Sequence, residues 1–339
     1  MKALKTALKV VGVLVGLIAV LVLAIIGARA YNGHKYPIVN SMSDSRDKAQ
    51  YPTDDHIVSI EGEHLNGFHF IPEQRLHPGT VIVYGGSEGS PAYWQAKTIA
   101  DQGYEVLALY FWGQPNQAPA LSQVPLDQFD EVVSWVETTI EQPRPITVIG
   151  SSKGAEYTAL LAAHGYPVDN LVNYTPGDHS YPGLSPKNSQ ELPSFTNRGE
   201  SVPYASLRKA DGSRIGKMLW DMIIGRPPQY RPVYQQAAER ADDSSRIDLS
   251  DFRGHALFFA GDKDAMWQGD IAAQNLSAQN ERFEAFIYPD AGHVFLESED
   301  QLPSGWEIML GGTADACVAA YHASNEVLFS RLGEWHGTL

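Results

Sequence analysis

Three side chains of this 339-residue chain have the types and the order that serine-based acyl chemistry requires. Ser152 sits between the outer glycines of Gly150-Ser151-Ser152-Lys153-Gly154, a G-x-S-x-G pattern. Asp264 closes Gly261-Asp262-Lys263-Asp264, and His293 closes Ala291-Gly292-His293. A serine hydroxyl is a weak nucleophile. His293 would take its proton and later return it to the leaving group. Asp264 would orient the imidazole and stabilise its charged form. Asp262 competes for that role. Asp264 is preferred because it lies three residues beyond Gly261, deeper in a loop that must reach the histidine. Developing negative charge on a carbonyl oxygen needs fixed donors. The backbone N–H of Lys153, next after the serine, would supply one, and that of Ser87 or Glu88 the other. Those two lie in Gly85-Gly86-Ser87-Glu88-Gly89, whose glycines let backbone approach the reacting oxygen closely.

Such residues work only if secondary structure delivers them to one place. The apolar, β-branched run at 146–149 leads into the G-x-S-x-G pattern, and a helix-favouring run at 155–163 follows. Strand, sharp turn and helix form the context that a nucleophile elbow needs. A Gly/Ser-rich turn without chemistry has the same five residues, so the rest of the chain decides. Residues 80–84 are a short apolar run, read as a strand buried on both faces, and they run into the glycine loop. Further strands are expected at 104–109, 169–175, 256–260 and 284–288, and helices at 91–102, 126–141 and 313–332. Phe129, Val132, Val133, Val136 and Ile140 give the second helix its apolar face. Alternating strands and helices imply right-handed crossovers and a mainly parallel sheet. Residues 56–61 and 68–71 read as an antiparallel hairpin ahead of it. The serine, the aspartate and the histidine each follow their own strand, in the chain order of α/β-hydrolases. The expected fold is therefore an α/β-hydrolase over residues 56–339: a mostly parallel central sheet flanked by helices. Residues 176–250 are rich in Pro, Ser and Gly with short helical pieces such as 214–224, and they read as a cap inserted over the site. Phe111 and Trp112 lie in an aromatic turn at the carboxyl edge of the sheet. They either line a substrate pocket or cover the rim of the core.

Composition narrows the partners. A formal charge of −15 argues against nucleic acid, whose phosphates need a basic footprint. The single cysteine, Cys317, excludes an internal disulfide framework and is read as a small buried apolar residue. His56, His64 and His69 lack a supporting set of acids or cysteines, so no metal is expected. The glycine loop lacks the Gly-Lys-Ser/Thr of a phosphate-binding loop, and no cofactor is expected. Residues 10–28 carry no charge and follow Lys2, Lys5 and Lys9. They read as a membrane-spanning anchor with residues 1–9 in the cytoplasm and the globular part on the far side. The alternative is a secretory signal cleaved near Ala30, since Ala28-Arg29-Ala30 has the small-x-small form. Residues 31–55 read as a polar linker. Within the expected cap, residues 195–231 hold seven basic and three acidic side chains, an inversion of the overall charge. Such a region is either a solvated surface or an attraction for an anionic substrate or lipid headgroups.

The motifs also resemble a known family. The chain is similar to the C-terminal catalytic domain shared by acyl-CoA thioesterases and bile acid-CoA:amino acid N-acyltransferase. The resemblance rests on Tyr84-Gly85-Gly86-Ser87-Glu88-Gly89, on Ser151-Ser152-Lys153-Gly154-Ala155-Glu156, and on Gly261-Asp262-Lys263-Asp264 with Trp267 shortly after. It extends to Ala291-Gly292-His293 and to Gly311-Gly312 before an Ala-rich helix, and covers residues 65–332. It implies a catalytic triad of Ser152, Asp264 and His293. Trp267 joins Phe111 and Trp112 as a candidate wall of the substrate pocket. In place of the family's N-terminal β-sandwich the chain has the apolar run and the hairpin. The serine resembles the hydrolytic members; the amidating one uses cysteine. The function expected is a membrane-anchored serine hydrolase of acyl esters or thioesters, the bilayer being contacted through residues 10–28. Acyl transfer to an amine or alcohol is a second reading. A hydrolase fold used as a membrane-tethered binding module is a third.

Overall fold

The computed structural model describes residues 2–40, 45–185, 190–298 and 302–339. Residues 41–44 of the expected linker and 186–189 of the expected cap lie outside them, as do the side chains of Lys2 and Lys5. A single helix, α1 (Lys2–Lys35), carries the apolar run and continues through the start of the segment read as a linker. Tyr36-Pro37 stops it, because a residue before proline is pushed out of the helical region.

Among the described residues eight strands form the central sheet: β1 (Ile57–Glu61), β2 (Asn66–Phe70), β3 (Thr80–Tyr84), β4 (Glu105–Leu109), β5 (Ile146–Ser151), β6 (Asn170–Tyr174), β7 (His255–Gly261) and β8 (Phe283–Tyr288). Their spatial order is β1-β2-β4-β3-β5-β6-β7-β8. β1 and β2 are the expected hairpin, with Ile57 opposite Phe70. β2 also runs antiparallel to β4, and every later pairing is parallel. The chain goes from β3 outward to β4, then returns across β3 to lay down β5. That reversal opens a crevice at the carboxyl ends of β3 and β5, where open α/β sheets bind ligands.

Helices cover both faces. α3 (Phe129–Thr139), α4 (Lys153–Ala163) and α7 (Gly269–Ser277) pack Val136, Leu161 and Leu276 against Ile82, Val148 and Phe258. α2 (Tyr93–Ala100) and α9 (Ala314–His336) pack Ile99 and Leu328 against Val83, Ile149 and Phe259 on the other face. Alternate residues of one strand thus feed opposite cores, so β3, β4 and β6 are buried throughout, and the polar Glu105, Asn170 and Asn173 among them are hydrogen-bonded to His69, Thr147 and Thr158. α8 (Trp306–Met309) is a short turn before α9.

The segment between β6 and β7 stands over the crevice. It contains α5 (Gly212–Ile223) and α6 (Arg231–Glu239), and Phe195–Asn197 pairs with Val124–Pro125 and Glu200–Ser201. Tyr181, Ala205, Tyr234 and Ala238 of this segment gather around Trp267 into a small core of their own. The three hairpin-region histidines are used separately: His69 Nε2 meets Glu105 at 2.6 Å, His56 Nδ1 the Ile71 carbonyl at 3.2 Å, and His64 Nδ1 the Asn116 carbonyl at 3.3 Å. Cys317 is buried, and its sulfur accepts from the Gly292 N–H at 3.3 Å.

Candidate active site

Ser152 lies between β5 and α4 with φ 53° and ψ −115°, a conformation that costs a non-glycine residue energy. Its surroundings hold it there. The Ser152 N–H donates to the Tyr174 carbonyl at 3.0 Å, while the Ser152 carbonyl accepts from Glu156 N–H at 3.1 Å. The flanking glycines are steric necessities. A Cβ on Gly150 would collide with the Gly154 carbonyl, and one on Gly154 with the Gly85 carbonyl of the loop after β3. The two loops touch only because both lack side chains there.

His293 bridges the other two residues. Its Nε2 is 2.9 Å from Ser152 Oγ and its Nδ1 is 2.8 Å from Asp264 Oδ2. The second carboxylate oxygen of Asp264 accepts the N–H groups of Met266 at 2.8 Å and Trp267 at 3.2 Å, so the buried carboxylate is fully used. Asp262 does different work: it accepts the Asp290 N–H at 2.7 Å and pairs with Lys263 at 3.0 Å, bracing the turn from which the histidine loop departs. The loops carrying Asp264 and His293 are tied to each other through Leu310 and Gly311. The Leu310 carbonyl accepts from both Ala265 N–H at 3.1 Å and His293 N–H at 2.8 Å. Gly311, at φ +81°, lies so close to the Lys263 carbonyl that a Cβ would overlap it. The late glycine pair noted in the sequence therefore lies where the Asp264 and His293 loops meet.

The backbone N–H of Lys153 is the first of α4, a position with no intrahelical acceptor. In the loop after β3, Gly86 lies close to the serine: a Cβ there would lie 3.2 Å from Ser152 Cβ. The Glu88 carboxylate accepts the Gly86 N–H at 2.8 Å and the Ser90 hydroxyl at 2.6 Å, which fixes the loop's shape. Gly86 was not singled out by sequence, although its place in a double glycine was the available signal.

The Lys153 side chain runs into the interior. Its ammonium is buried and bonds Glu156 Oε2 at 2.7 Å and Ser194 Oγ at 2.7 Å. Glu156 Oε1 in turn accepts the Ser180 hydroxyl at 2.8 Å and the Tyr181 N–H at 3.0 Å. Burial pulls the lysine pKa down, and Glu156 acts in the opposite sense. The Lys-Gly-Ala-Glu segment thus pins the inserted cap to the helix that follows the serine. Arg231 of α6 holds the acid loop from the cap side, donating to the Asp264 carbonyl at 2.8 Å and pairing with Asp270 at 2.8 Å. The sequence reading had Glu156 only as part of the family motif and Arg231 only among the basic residues of the cap. Their partners lie in segments whose placement only folding decides.

A cavity of about 1610 Å³ opens above these groups. Ser152, His293, Ser87, Glu88, Trp112 and Trp267 are among the residues that line it. Phe111 is not. Its ring stacks on Tyr157 at 5.0 Å and lies in the core beneath, 1% exposed. Of the two adjacent aromatics, Trp112 faces the cavity and Phe111 supports the floor.

Comparison with known proteins follows the same lines. The family described as BAAT / acyl-CoA thioester hydrolase C terminal matches residues 124–297, a span that includes Ser152, Asp264 and His293. Acyl-coenzyme A thioesterase 6 of Mus musculus is 27% identical over 233 residues, which are 66% of this chain and 49% of the relative. Bile acid-CoA:amino acid N-acyltransferase of Mus musculus is 23% identical over 255 residues, 70% of this chain and 53% of the relative. The chain spans about half the length of the curated relatives it matches. A crystal structure of a Pyrococcus furiosus esterase superposes with a TM-score of 0.49 at 14% identity, covering 83% of this chain and 90% of that one.

Proposed function

The chain belongs to the BAAT / acyl-CoA thioester hydrolase C-terminal family, and from that premise we propose that it is a serine hydrolase of acyl thioesters or esters with Ser152, His293 and Asp264 as its catalytic residues. One observation carries the reading: the continuous hydrogen-bonded path from Ser152 Oγ through both nitrogens of His293 to Asp264, in the wall of a large cavity. Ser152 Oγ attacks the acyl carbonyl while His293 Nε2 takes its proton. Asp264 holds the imidazole through Nδ1 and stabilises its cationic form. The Lys153 N–H and an amide of the glycine loop, Ser87 or Glu88, meet the oxyanion. Collapse expels a thiolate or alkoxide, which His293 protonates, and leaves an acyl ester on Ser152. Water, deprotonated by His293, then releases the acid and restores the serine. The cavity exceeds the usual drug-sized range of about 300–1,000 Å³, which suits a long acyl chain.

The uncharged run in α1 rises about 28 Å as a helix, close to a hydrocarbon core of about 30 Å. α1 is the one helix among the described residues long and apolar enough to cross a membrane, and none of that window is buried in the protein. We read it as an anchor that leaves the hydrolase domain on the non-cytoplasmic side; a signal cleaved near Ala30 would release the same domain there. The likeness to an N-acyltransferase supports a second reading, in which an amine rather than water resolves the acyl-enzyme.

Fluorophosphonate labelling of the full chain tests the nucleophile. Wild type is expected to label and Ser152→Ala to lose both label and hydrolysis; labelling that survives the substitution refutes the assignment. Turnover of acyl-CoAs against p-nitrophenyl esters, with and without amine acceptors, then separates thioesterase, esterase and transferase.

A further inference from the structure

α5 is amphipathic, but it is turned inside out. Ile215, Leu219, Met222 and Ile223 recur at i, i+4, i+7 and i+8, the spacing of one helix face. In a water-soluble domain that face meets the core. Here Leu219, Ile223 and the adjacent Trp220 are 47%, 46% and 49% exposed. On the other side of the helix Asp221 is its one buried residue, 4% exposed, and accepts from Lys217 Nζ at 3.0 Å, while Arg214 donates to the Pro232 carbonyl at 3.1 Å; Lys217 and Arg214 themselves stay exposed.

Three further observations say what covers the apolar face. The first is position. Arg29, the first charge after the apolar run of α1, donates to the carbonyls of Met222 at 3.2 Å and Ile223 at 3.3 Å, and Asn32 donates to Ile224 at 2.9 Å. The last turn of α5 is therefore level with the end of the apolar run. The second is charge. Residues 208–231 carry six basic and two acidic side chains in a protein of net charge −15, as an anionic headgroup layer would select. The third is continuity with the cavity. Met222 lines it, as do the exposed Trp94 and Leu184, so the apolar strip runs into the cavity mouth.

We propose that α5 lies in the membrane surface as a second, in-plane contact beside α1, and seats the cavity mouth on the leaflet so that a lipid-borne acyl substrate enters from the bilayer. The direction of entry rests on the reading of Ser152 and of this cavity as the hydrolytic site. The contact itself rests on the geometry of α5 and α1. Apolar side chains immerse in the acyl boundary and Trp220 takes the headgroup level, where amphipathic rings settle.

The full chain, with bimane attached at Ile223→Cys or, as control, Ser213→Cys, is reconstituted into phosphatidylcholine/phosphatidylglycerol vesicles. Doxyl-labelled lipid is expected to quench bimane at 223 at least about threefold more than at 213, in keeping with immersion of only the apolar face. Equal or absent lipid quenching at 223 overturns the proposal. Absent lipid quenching together with shielding from iodide overturns it in favour of a protein partner on this face. Alkaline carbonate extraction of the same vesicles reads the anchor separately: release of a chain that was quenched at 223 before extraction refutes the span and leaves the α5 contact standing. In a second measurement, Leu219→Glu/Ile223→Glu is expected to raise KM for a vesicle-embedded long-chain ester at least about tenfold, the scale of losing one half-immersed apolar side chain. A soluble p-nitrophenyl acetate control should keep its kcat/KM. Equal loss on both substrates, or on neither, overturns delivery from the bilayer.

Discussion

Replacing Glu156 by alanine should weaken the fold far more than its place one turn into a helix suggests. Glu156 is fully buried and accepts from the Lys153 ammonium, the Ser180 hydroxyl and the Tyr181 N–H. Its removal leaves a buried ammonium with Ser194 Oγ at 2.7 Å and two carbonyls at 3.4 and 3.5 Å. Breaking one side of a buried pair costs about 3–5 kcal/mol. For a domain of this size about 2 °C of melting temperature accompanies each kcal/mol, so Glu156→Ala should melt about 6–10 °C below wild type. The pH dependence gives the mechanism a signature. Burial already holds the Lys153 pKa below its ordinary value of 10.5, and loss of Glu156 removes the groups that raise it. A lysine with a lowered folded pKa is bound to more protons in the unfolded state, so stability rises with pH between the folded and unfolded values. The deficit of Glu156→Ala should therefore shrink as pH rises toward the ordinary lysine value of 10.5 and the buried amine becomes neutral. Lys153→Met/Glu156→Leu, which removes both charges, should recover part of the loss. About 1–3 kcal/mol would remain for the Tyr181 N–H left without an acceptor. Thermal melts followed by circular dichroism across pH decide it. A variant melting within about 2 °C of wild type, or a deficit that does not change with pH, refutes the account.

Asp264→Asn should lower kcat by about 10³–10⁴-fold with KM little changed, because an amide cannot orient and stabilise His293 as the carboxylate does. Asp262→Asn, which touches only the turn, should cost less than about threefold; steady-state kinetics of the two separate the rivals. His336 is buried between Thr147 Oγ1 and the Pro78 carbonyl, each at 2.8 Å, and burial lowers its pKa below 6.5. Since the unfolded chain takes up that proton first, this contribution to stability is intact above 6.5 and is lost as pH falls below it. Urea unfolding at stepped pH should show the decline, and His336→Gln should flatten it.

Part of the site was legible because it is local. A strand, a glycine-flanked serine and a helix are set by neighbours in the chain, and so is the order in which the acid and base follow their strands. The preference for Asp264 over Asp262 rested on loop reach. In the structure Asp264 lies against His293 and Asp262 lies in the turn. α6 and α7 went unread, since their apolar faces are short and their packing partners distant. The sequence reading also left Phe111 and Trp112 undivided. Adjacent side chains in a turn point in different directions, and only the packed neighbour Tyr157 determined which one reached the cavity.

The amino-acid sequence alone determined the candidate reacting groups, the parallel sheet and the apolar run at the N-terminus, because each is written in residue type and short-range period. Tertiary structure decided everything that depends on which surfaces meet. It brought the Lys153–Glu156 pair under the cap and closed Gly311 against the acid loop. It also turned the apolar face of α5 outward beside Arg29. Periodicity shows that a helix has an apolar face. Which way that face points is fixed by what the opposite face bonds, and those partners are supplied by other elements of the fold.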